Sequence, residues 1–434
     1  MFFLINKLLN YIVKKFHYYF IYKLNYFFKY KKERKRLIKK FLRLFILEFV
    51  FIIISLILLP FFLILKKYLN IRIHEIVTSR IGHLMLNSEL YLCKLQFKKE
   101  KNNKIKTLDI FYNTEKISNS YLFFLIKKKN FIYSRLFLST FHKILIFFKI
   151  KNIEVIEIKE SYDKNNLLDL YKPFLQIPES DIIKGWKILE KKFNTPRDEF
   201  ENKIIFFSLR DSVYLQDEFP DHEWNYHNYR DVDSNNYICA AEALAEKGYK
   251  IFRIGKKVKK PFISNNPNIV DYANSNFRSD FLDIFLGKVS KFGLSTGTGI
   301  ENIATIFRKP LCVIHVPFEL SYFHCGNLIM TRNHYSEKLN RNLTVSEIFE
   351  HGSKINFNYT TKNYKLLGIK LIESNQEDIK NFVLERLCSL KNSPKDYFKS
   401  ELQEEFWKVF KFNLNKYNIN YHKNINGFYS NFFL

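Results

Sequence analysis

The stretch Lys291–Pro317, KFGLSTGTGIENIATIFRKPLCVIHVP, constrains the fold more than any other part of the chain. It reads as a strand end, a loop of small residues, a helix and a buried strand. Gly293, Gly297 and Gly299 lie among Ser295, Thr296 and Thr298. A helix is predicted from near Ile300 to about Phe307, and Pro310 stops it. Leu311–Val316 (LCVIHV) then has the apolar run of a parallel strand covered on both faces. Strand, loop, helix and strand in this order belong to an open α/β sheet, whose ligands gather at the carboxyl ends of the strands.

Such a loop suits a diphosphate. Glycines let backbone N–H groups approach an anion, hydroxyls add donors, and the helix turns its positive end to the loop. The plainer reading is a structural turn, since glycine-rich turns precede many helices. No Gly-Lys-Ser/Thr follows, so this is not a Walker loop, and the dinucleotide fingerprint is absent too. Glu301, one turn into the helix, would repel phosphate. It is therefore expected to hold a ribose or sugar hydroxyl.

With 434 residues, 47% of them hydrophobic, the chain can form two domains and an appendage. The net charge of +27 points first to nucleic acid or an anionic membrane surface. The charge is uneven: residues 1–43 hold thirteen Lys and Arg against one acid, Glu33. Residues 1–30 resemble an interfacial amphipathic helix, and the basic run Lys31–Lys40 (KKERKRLIKK) follows. That run adjoins an apolar block, Leu44–Leu65, whose 22 residues carry one charge, Glu48. About 20 such residues cross a bilayer. Pro60 leaves a re-entrant hairpin open beside a single crossing. Membrane contact through residues 1–67 is expected, and nucleic acid is not an expected partner, because no nucleic-acid motif appears. Five cysteines are dispersed without a CxxC pair, which suits reduced thiols and a cytoplasmic body held at the inner membrane. Neither a metal cluster nor a cofactor is expected.

Three further segments carry candidate chemistry. In Ser79–Lys94 (SRIGHLMLNSELYLCK), Gly82 opens a turn after a strand, and His83 sits at the strand–helix junction. A histidine there can act as general base near neutral pH, or simply cap the helix. Glu89 could orient it or face solvent. In the second segment, the strand Lys203–Phe207 (KIIFF) leads into Arg210 and Asp211. Arg210 could pair with phosphate, and Asp211 could accept from a sugar hydroxyl or orient Arg210; a rim ion pair is the bland alternative. The third is the loop Asp221–Asn235, which offers Tyr229 and Arg230 as ring and cation for substrate. Its Asp231-Val232-Asp233 matches a metal-binding pattern, but Asp233 or Ser234 also suits a helix N-cap. Residues 106–160 alternate strand-like (Thr107–Tyr112, Ile153–Ile158) and helix-like pieces, which implies a first doubly wound domain, with a linker near Pro196.

Two doubly wound halves with a phosphate-type loop in the second resemble GT-B glycosyltransferases. More narrowly, SRIGHLMLNSELYLCK, LRDSVY, NYRDVDSNNY and STGTGIENIATIFRKP, in this order, resemble a family of bacterial GT-B glycosyltransferases linked to surface-polysaccharide synthesis. The likeness spans residues 71 to about 410. It implies a fold class of two Rossmann-like domains facing a cleft, behind an N-terminal helical membrane anchor. The implied boundaries are an anchor over 1–70, an acceptor domain over 71–195, a nucleotide-sugar donor domain over 196–395, and a helix and tail over 396–434. Gly82 and His83 fall where related heptosyltransferases carry a Gly-Asp pair, whose acid is the proposed base. Arg210, Ser295, Thr296, Gly297, Thr298 and Glu301 fall at donor-site positions. The implied activity is sugar transfer from a nucleotide-sugar to a cell-surface glycan or lipid-linked acceptor, with no metal. The alternatives are a nucleotide-sugar epimerase of the same architecture and a non-enzymatic polyanion- or membrane-binding protein.

Overall fold

The computed structural model describes residues 34–101, 107–114, 116–129, 135–155, 163–315, 326–391, 394–419 and 427–431. The amphipathic segment expected over residues 1–30 lies outside them. The longer helices are α1 (Arg34–Tyr68), α2 (Ile81–Glu100), α3 (Ser120–Lys127), α4 (Arg135–Phe147), α5 (Glu179–Phe193), α6 (Ile238–Glu246), α7 (Asp280–Val289), α8 (Val345–Lys354), α9 (Gln376–Ser389) and α10 (Glu401–Lys416). The strands are β1 (Asn70–Ile76), β2 (Thr107–Asn113), β3 (Ile204–Ser208), β4 (Lys250–Arg253), β5 (Ile269–Val270), β6 (Phe292–Ser295), β7 (Leu311–His315), β8 (Asn327–Thr331), β9 (Asn333–Ser336), β10 (Arg341–Asn342), β11 (Ile369–Ile372) and β12 (Gly427–Tyr429). The chain is an α/β protein.

By contacts it forms two units, residues 1–75, 105–112 and 133–154 in the first and the remainder in the second. This grouping cuts the chain differently from a boundary near Pro196. Long-range bonds account for it. Buried Glu89 of α2 accepts from the amides of Phe174 and Leu175 at 2.9 Å and from Arg308 at 2.8 Å. Asn119 caps α3 and also donates to the Asp280 carbonyl of α7 at 2.9 Å. These bonds tie α2, α3 and the 174–175 segment to the large sheet.

In the first unit, β1 and β2 pair, and Ile73 N–H donates to the Ile153 carbonyl at 2.7 Å. The rest of the strand expected over Ile153–Ile158 lies outside the described residues beyond Val155. Helix α1 packs on α4 through edge-on rings, Phe51 on Phe137 and Phe62 on Phe141. Pro60 does not break α1 into a hairpin: the helix runs on through it to Tyr68, and the residue is exposed.

The second unit is built on a seven-stranded sheet ordered β12–β8–β7–β6–β3–β4–β5, with every neighbouring pair parallel. Strand β3 (IIFFS) is buried at each of its residues, as a strand covered on both faces must be. From β3 the chain winds through β4 to β5 at one edge, then returns with β6 on the other side of β3. Winding therefore reverses between β3 and β6, where Ser208 stands beside Ser295. Loops leaving two such strands diverge and open a crevice at their carboxyl ends. A small antiparallel sheet, β10–β9–β11, is separate from it.

Candidate functional site

The crevice at the β3/β6 reversal holds a cavity of about 340 Å³. Its wall brings together most of the residues singled out in the sequence. Gly82, His83, Arg210, Asp211, Arg230, Gly297, Thr298, Gly299 and Glu301 line it. Gly293, Ser295, Thr296 and Tyr229 do not. Gly293 lies in β6 under the Phe206 ring, where a Cβ would stand 2.2 Å from that ring. Tyr229 packs on Tyr364 with ring centroids 5.2 Å apart.

The two loops after β3 and β6 are stitched to each other. Thr296 N–H donates to the Ser208 carbonyl at 3.2 Å, and Arg210 N–H donates to the Thr296 hydroxyl at 2.8 Å. The Ser208 and Thr298 hydroxyls bond across the same gap. Gly297 turns the loop at φ +78°, a backbone that favours glycine. Its amide donates to the Ser295 hydroxyl at 3.3 Å, and the Thr298 amide donates to Glu301 at 3.0 Å. Ser295 also donates to Glu301. Two amides that the sequence offers to a phosphate are thus engaged inside the loop, and Glu301 shapes the turn through a capping box with Thr298. A short 3₁₀ turn, Gly299–Glu301, leads into the helical turn Asn302–Ile306.

The start of α2 meets this loop at van der Waals distance. A Cβ on Gly82 would stand 2.9 Å from the Gly299 Cα and 3.0 Å from its carbonyl oxygen. Backbone approach this close brings His83 and the β6 loop to one cavity, although more than two hundred residues separate them in sequence. Burial, and then the charge of Arg80, hold the His83 pKa below its ordinary value of 6.5, so the imidazole is neutral at pH 7.

Positive charge is concentrated here. Arg80, Arg210, Arg230 and Arg278 line the cavity with Lys256 and Lys257. Arg230 donates to the Gly297 carbonyl at 3.0 Å. Arg210 stands 3.5 Å from Asp231, and its Nε is buried without a hydrogen-bond partner among the described residues. Burial, and then Arg230, depress the Arg210 pKa. His227 records the same field: burial and then Arg230, Arg210 and Arg80 hold it at about 4. Cations placed so that they repel one another are relieved by a bound anion. Arg80 also lies over the Trp224 ring at 5.1 Å, so an aromatic surface adjoins the cationic one.

Comparison with known proteins adds the following. No family model matches the chain, and no curated protein matches it. Among solved structures it is similar to ADP-heptose LPS heptosyltransferase II of E. coli, with TM-score 0.40 and 12% identity over 74% of this chain and 100% of that one. It is similar to a glycosyl transferase family 9 protein of Veillonella parvula, with TM-score 0.36 and 10% identity over 73% and 98%. It is also similar to UDP-GlcNAc 2-epimerase of Neisseria meningitidis, with TM-score 0.31 and 12% identity over 75% and 93%. The functional reading rests on the residues of the site itself.

Several roles differ from those the sequence suggests. Asp211 accepts from the amides of Val213 (3.1 Å) and Lys259 (2.8 Å), which fastens the loop after β3. The acid beside Arg210 is Asp231 instead. Asp233 caps the Ser234–Tyr237 turn and pairs with Lys260 at 3.1 Å. Among the described residues no cluster of three metal-ligating side chains converges. Glu89 neither orients His83 nor faces solvent: it is a buried anchor. Arg80 and Arg332 escaped sequence reading, and Asp231 entered it as part of a metal-binding pattern and not as the partner of Arg210. Arg332 donates to the carbonyls of Tyr229, Arg230 and Asp231 at 2.9–3.2 Å and so holds the loop that carries Arg230. The Glu301 cap was legible, since Thr298-Gly-Ile-Glu301 has the spacing of a capping box.

Proposed function

We propose that this chain is a membrane-associated glycosyltransferase that takes a sugar from a nucleotide-sugar and passes it to a cell-surface glycan or lipid-linked acceptor. One observation carries the reading: the half-buried Arg210, whose Nε has no hydrogen-bond partner among the described residues, stands with Arg80 and Arg230 around a crevice at the sheet's reversal point, where the neutral His83 also opens. The diphosphate lies against these guanidinium groups, which offset the charge that grows on it as it leaves. The acceptor hydroxyl attacks the anomeric carbon. A new C–O bond forms, the bond from that carbon to the phosphate oxygen breaks, and the hydroxyl proton passes to His83. Gly82 and residues 71–195 face the acceptor, and residues 196–395 hold the donor. Lining side chains from the β3 and β6 loops contact the sugar. The body works at the cytoplasmic face of the inner membrane, near a membrane-borne acceptor.

Thermal unfolding with a panel of UDP-, GDP-, ADP- and CMP-sugars tests this. A ligand at a hundred times its Kd adds about 2.7 kcal/mol of stability. At least one nucleotide-sugar should raise the melting temperature. Arg210→Ala should weaken its binding roughly tenfold to a hundredfold, as loss of a charged hydrogen bond worth about 1.5–3 kcal/mol predicts. If no member of the panel stabilises the wild type, the donor site is refuted. Sugar isomerisation without any acceptor would move the chain to the epimerases.

A further inference from the structure

The cavity wall carries a second group of polar side chains that the transfer step does not use. Asp283 belongs to the start of α7, Arg278 precedes that helix, and Ser118 comes from the segment between β2 and α3; all three line the cavity. The two segments are fastened to each other. Asn119 donates to the Asp280 carbonyl at 2.9 Å, and the Ser120 amide and hydroxyl donate to the Asp280 carboxylate at 2.8 and 2.9 Å. The Tyr121 ring meets Phe281 edge-on at 5.0 Å.

Each of the three holds a buried atom without a hydrogen-bond partner among the described residues: the Nε donor of Arg278, the Oδ1 acceptor of Asp283 and the Ser118 hydroxyl. Asp283 is fully buried, and Ser118 nearly so. The other carboxylate oxygen of Asp283 accepts from Arg278. Tyr272, close by, donates to the Ser279 carbonyl at 3.1 Å and accepts from the Ser279 amide at 3.0 Å, so its one proton is already used. A buried polar atom left unbonded is costly, and three on one cavity wall mark where a ligand bonds.

Charge and donor type say which ligand. Arg278 is offset by Asp283 and by Asp280 at 3.4 Å, so this group has no net positive charge, and phosphate belongs with Arg80, Arg210 and Arg230 instead. A carboxylate that accepts, a guanidinium that donates and a hydroxyl that does either complement neighbouring hydroxyls of a sugar ring, since each of those both donates and accepts. We infer that Arg278, Asp283 and Ser118 form a subsite that recognises vicinal hydroxyls of a sugar ring and so sets which sugar the chain takes. This deepens the sugar-transfer reading above and rests on it for the sugar. Donor and acceptor both carry such a ring, and the test separates them.

The test measures dissociation constants of the full chain for the nucleotide-sugars named above and for their parent nucleotides, and saturation transfer by NMR from the chain to free glucose, galactose, mannose and N-acetylglucosamine. Ser118→Ala should weaken nucleotide-sugar binding roughly twofold to tenfold and Asp283→Asn roughly tenfold to a hundredfold, with parent nucleotides bound as by the wild type. Ser118→Ala should leave the melting temperature unchanged, because its hydroxyl bonds to none of the described residues. It carries the test should Asp283→Asn, which strips Arg278 of a carboxylate, fail to fold. That pattern gives the subsite to the transferred sugar. If nucleotide-sugar binding holds and the variants instead lose transfer to the free hexoses, the ring is the acceptor's. Variants that bind every probe as the wild type does overturn the inference and leave the donor site standing. Equal weakening of nucleotides and nucleotide-sugars also overturns it, since that marks a structural role. Should the wild type bind no nucleotide-sugar, hexose transfer that the variants abolish keeps the subsite and refutes the donor site; no hexose transfer either overturns both.

Discussion

Arg210 and His83 make opposite demands on one cavity. Arg210 must stay charged although burial opposes it, and His83 must stay neutral to accept a proton. The cluster of guanidinium groups serves both, because it attracts an anion and disfavours an imidazolium. His83→Asn should therefore cut turnover by roughly a hundredfold to ten-thousandfold, the range for a lost general base, while donor binding in the thermal assay persists. The pH profile follows from the depressed pKa. kcat/KM should be flat through neutrality and fall on acidification, with a midpoint below the ordinary 6.5. A midpoint above 7 would remove His83 as the base. At this scale the sequence showed which side chains had suitable chemistry. It could not show that Asp231 rather than Asp211 stands beside Arg210, since both are within reach of a flexible loop and only the fold selects one.

The element that matters most is the β6 loop together with the first turn of α2. Their contact needs a glycine at position 82, for a Cβ there would press on the Gly299 backbone at 2.9 Å, and backbone cannot rotate away as a side chain can. Gly82→Ala should then cost about 1–3 kcal/mol, as overpacking does, and should weaken donor binding by separating the two walls. Equilibrium unfolding and the nucleotide-sugar assay measure the two effects; wild-type values in both would show that the walls do not touch. The strand, loop and helix of 291–315 were legible because glycine, proline, caps and apolar runs act within a few residues. The meeting with Gly82 was not, because no local signal specifies it.

For the molecule as a whole, acid is the informative stress. His227 and His334 are both held at about 4 by burial, and His334 is 2% exposed. Between the unfolded value of 6.5 and about 4 the unfolded chain binds protons that the folded chain refuses, so these groups make stability fall as pH drops through that window. Asp283 acts oppositely. Burial raises it from 3.8 to about 6, so its contribution falls as pH rises through that interval. The His334 contribution is a loss of stability between pH 6.5 and 5, read as the difference between the wild type and a His334 variant. Urea unfolding at pH 7 and pH 5 should show it, and His334→Gln should flatten the slope. An unchanged slope in that variant would mean that His334 titrates normally.

Short-range rules were enough for the α/β class, the apolar helix that begins the described chain, the turn at Gly297 and the cap at Asp233, because each depends on residues within one or two turns of backbone. What tertiary structure alone decided is which distant groups share a site. Glu89 and Arg308 pair across 219 residues, Arg332 holds the loop of Arg230, and Gly82 meets Gly299. Such partnerships follow from strand order and close packing, which involve the whole chain at once, and they leave no mark in any window of sequence.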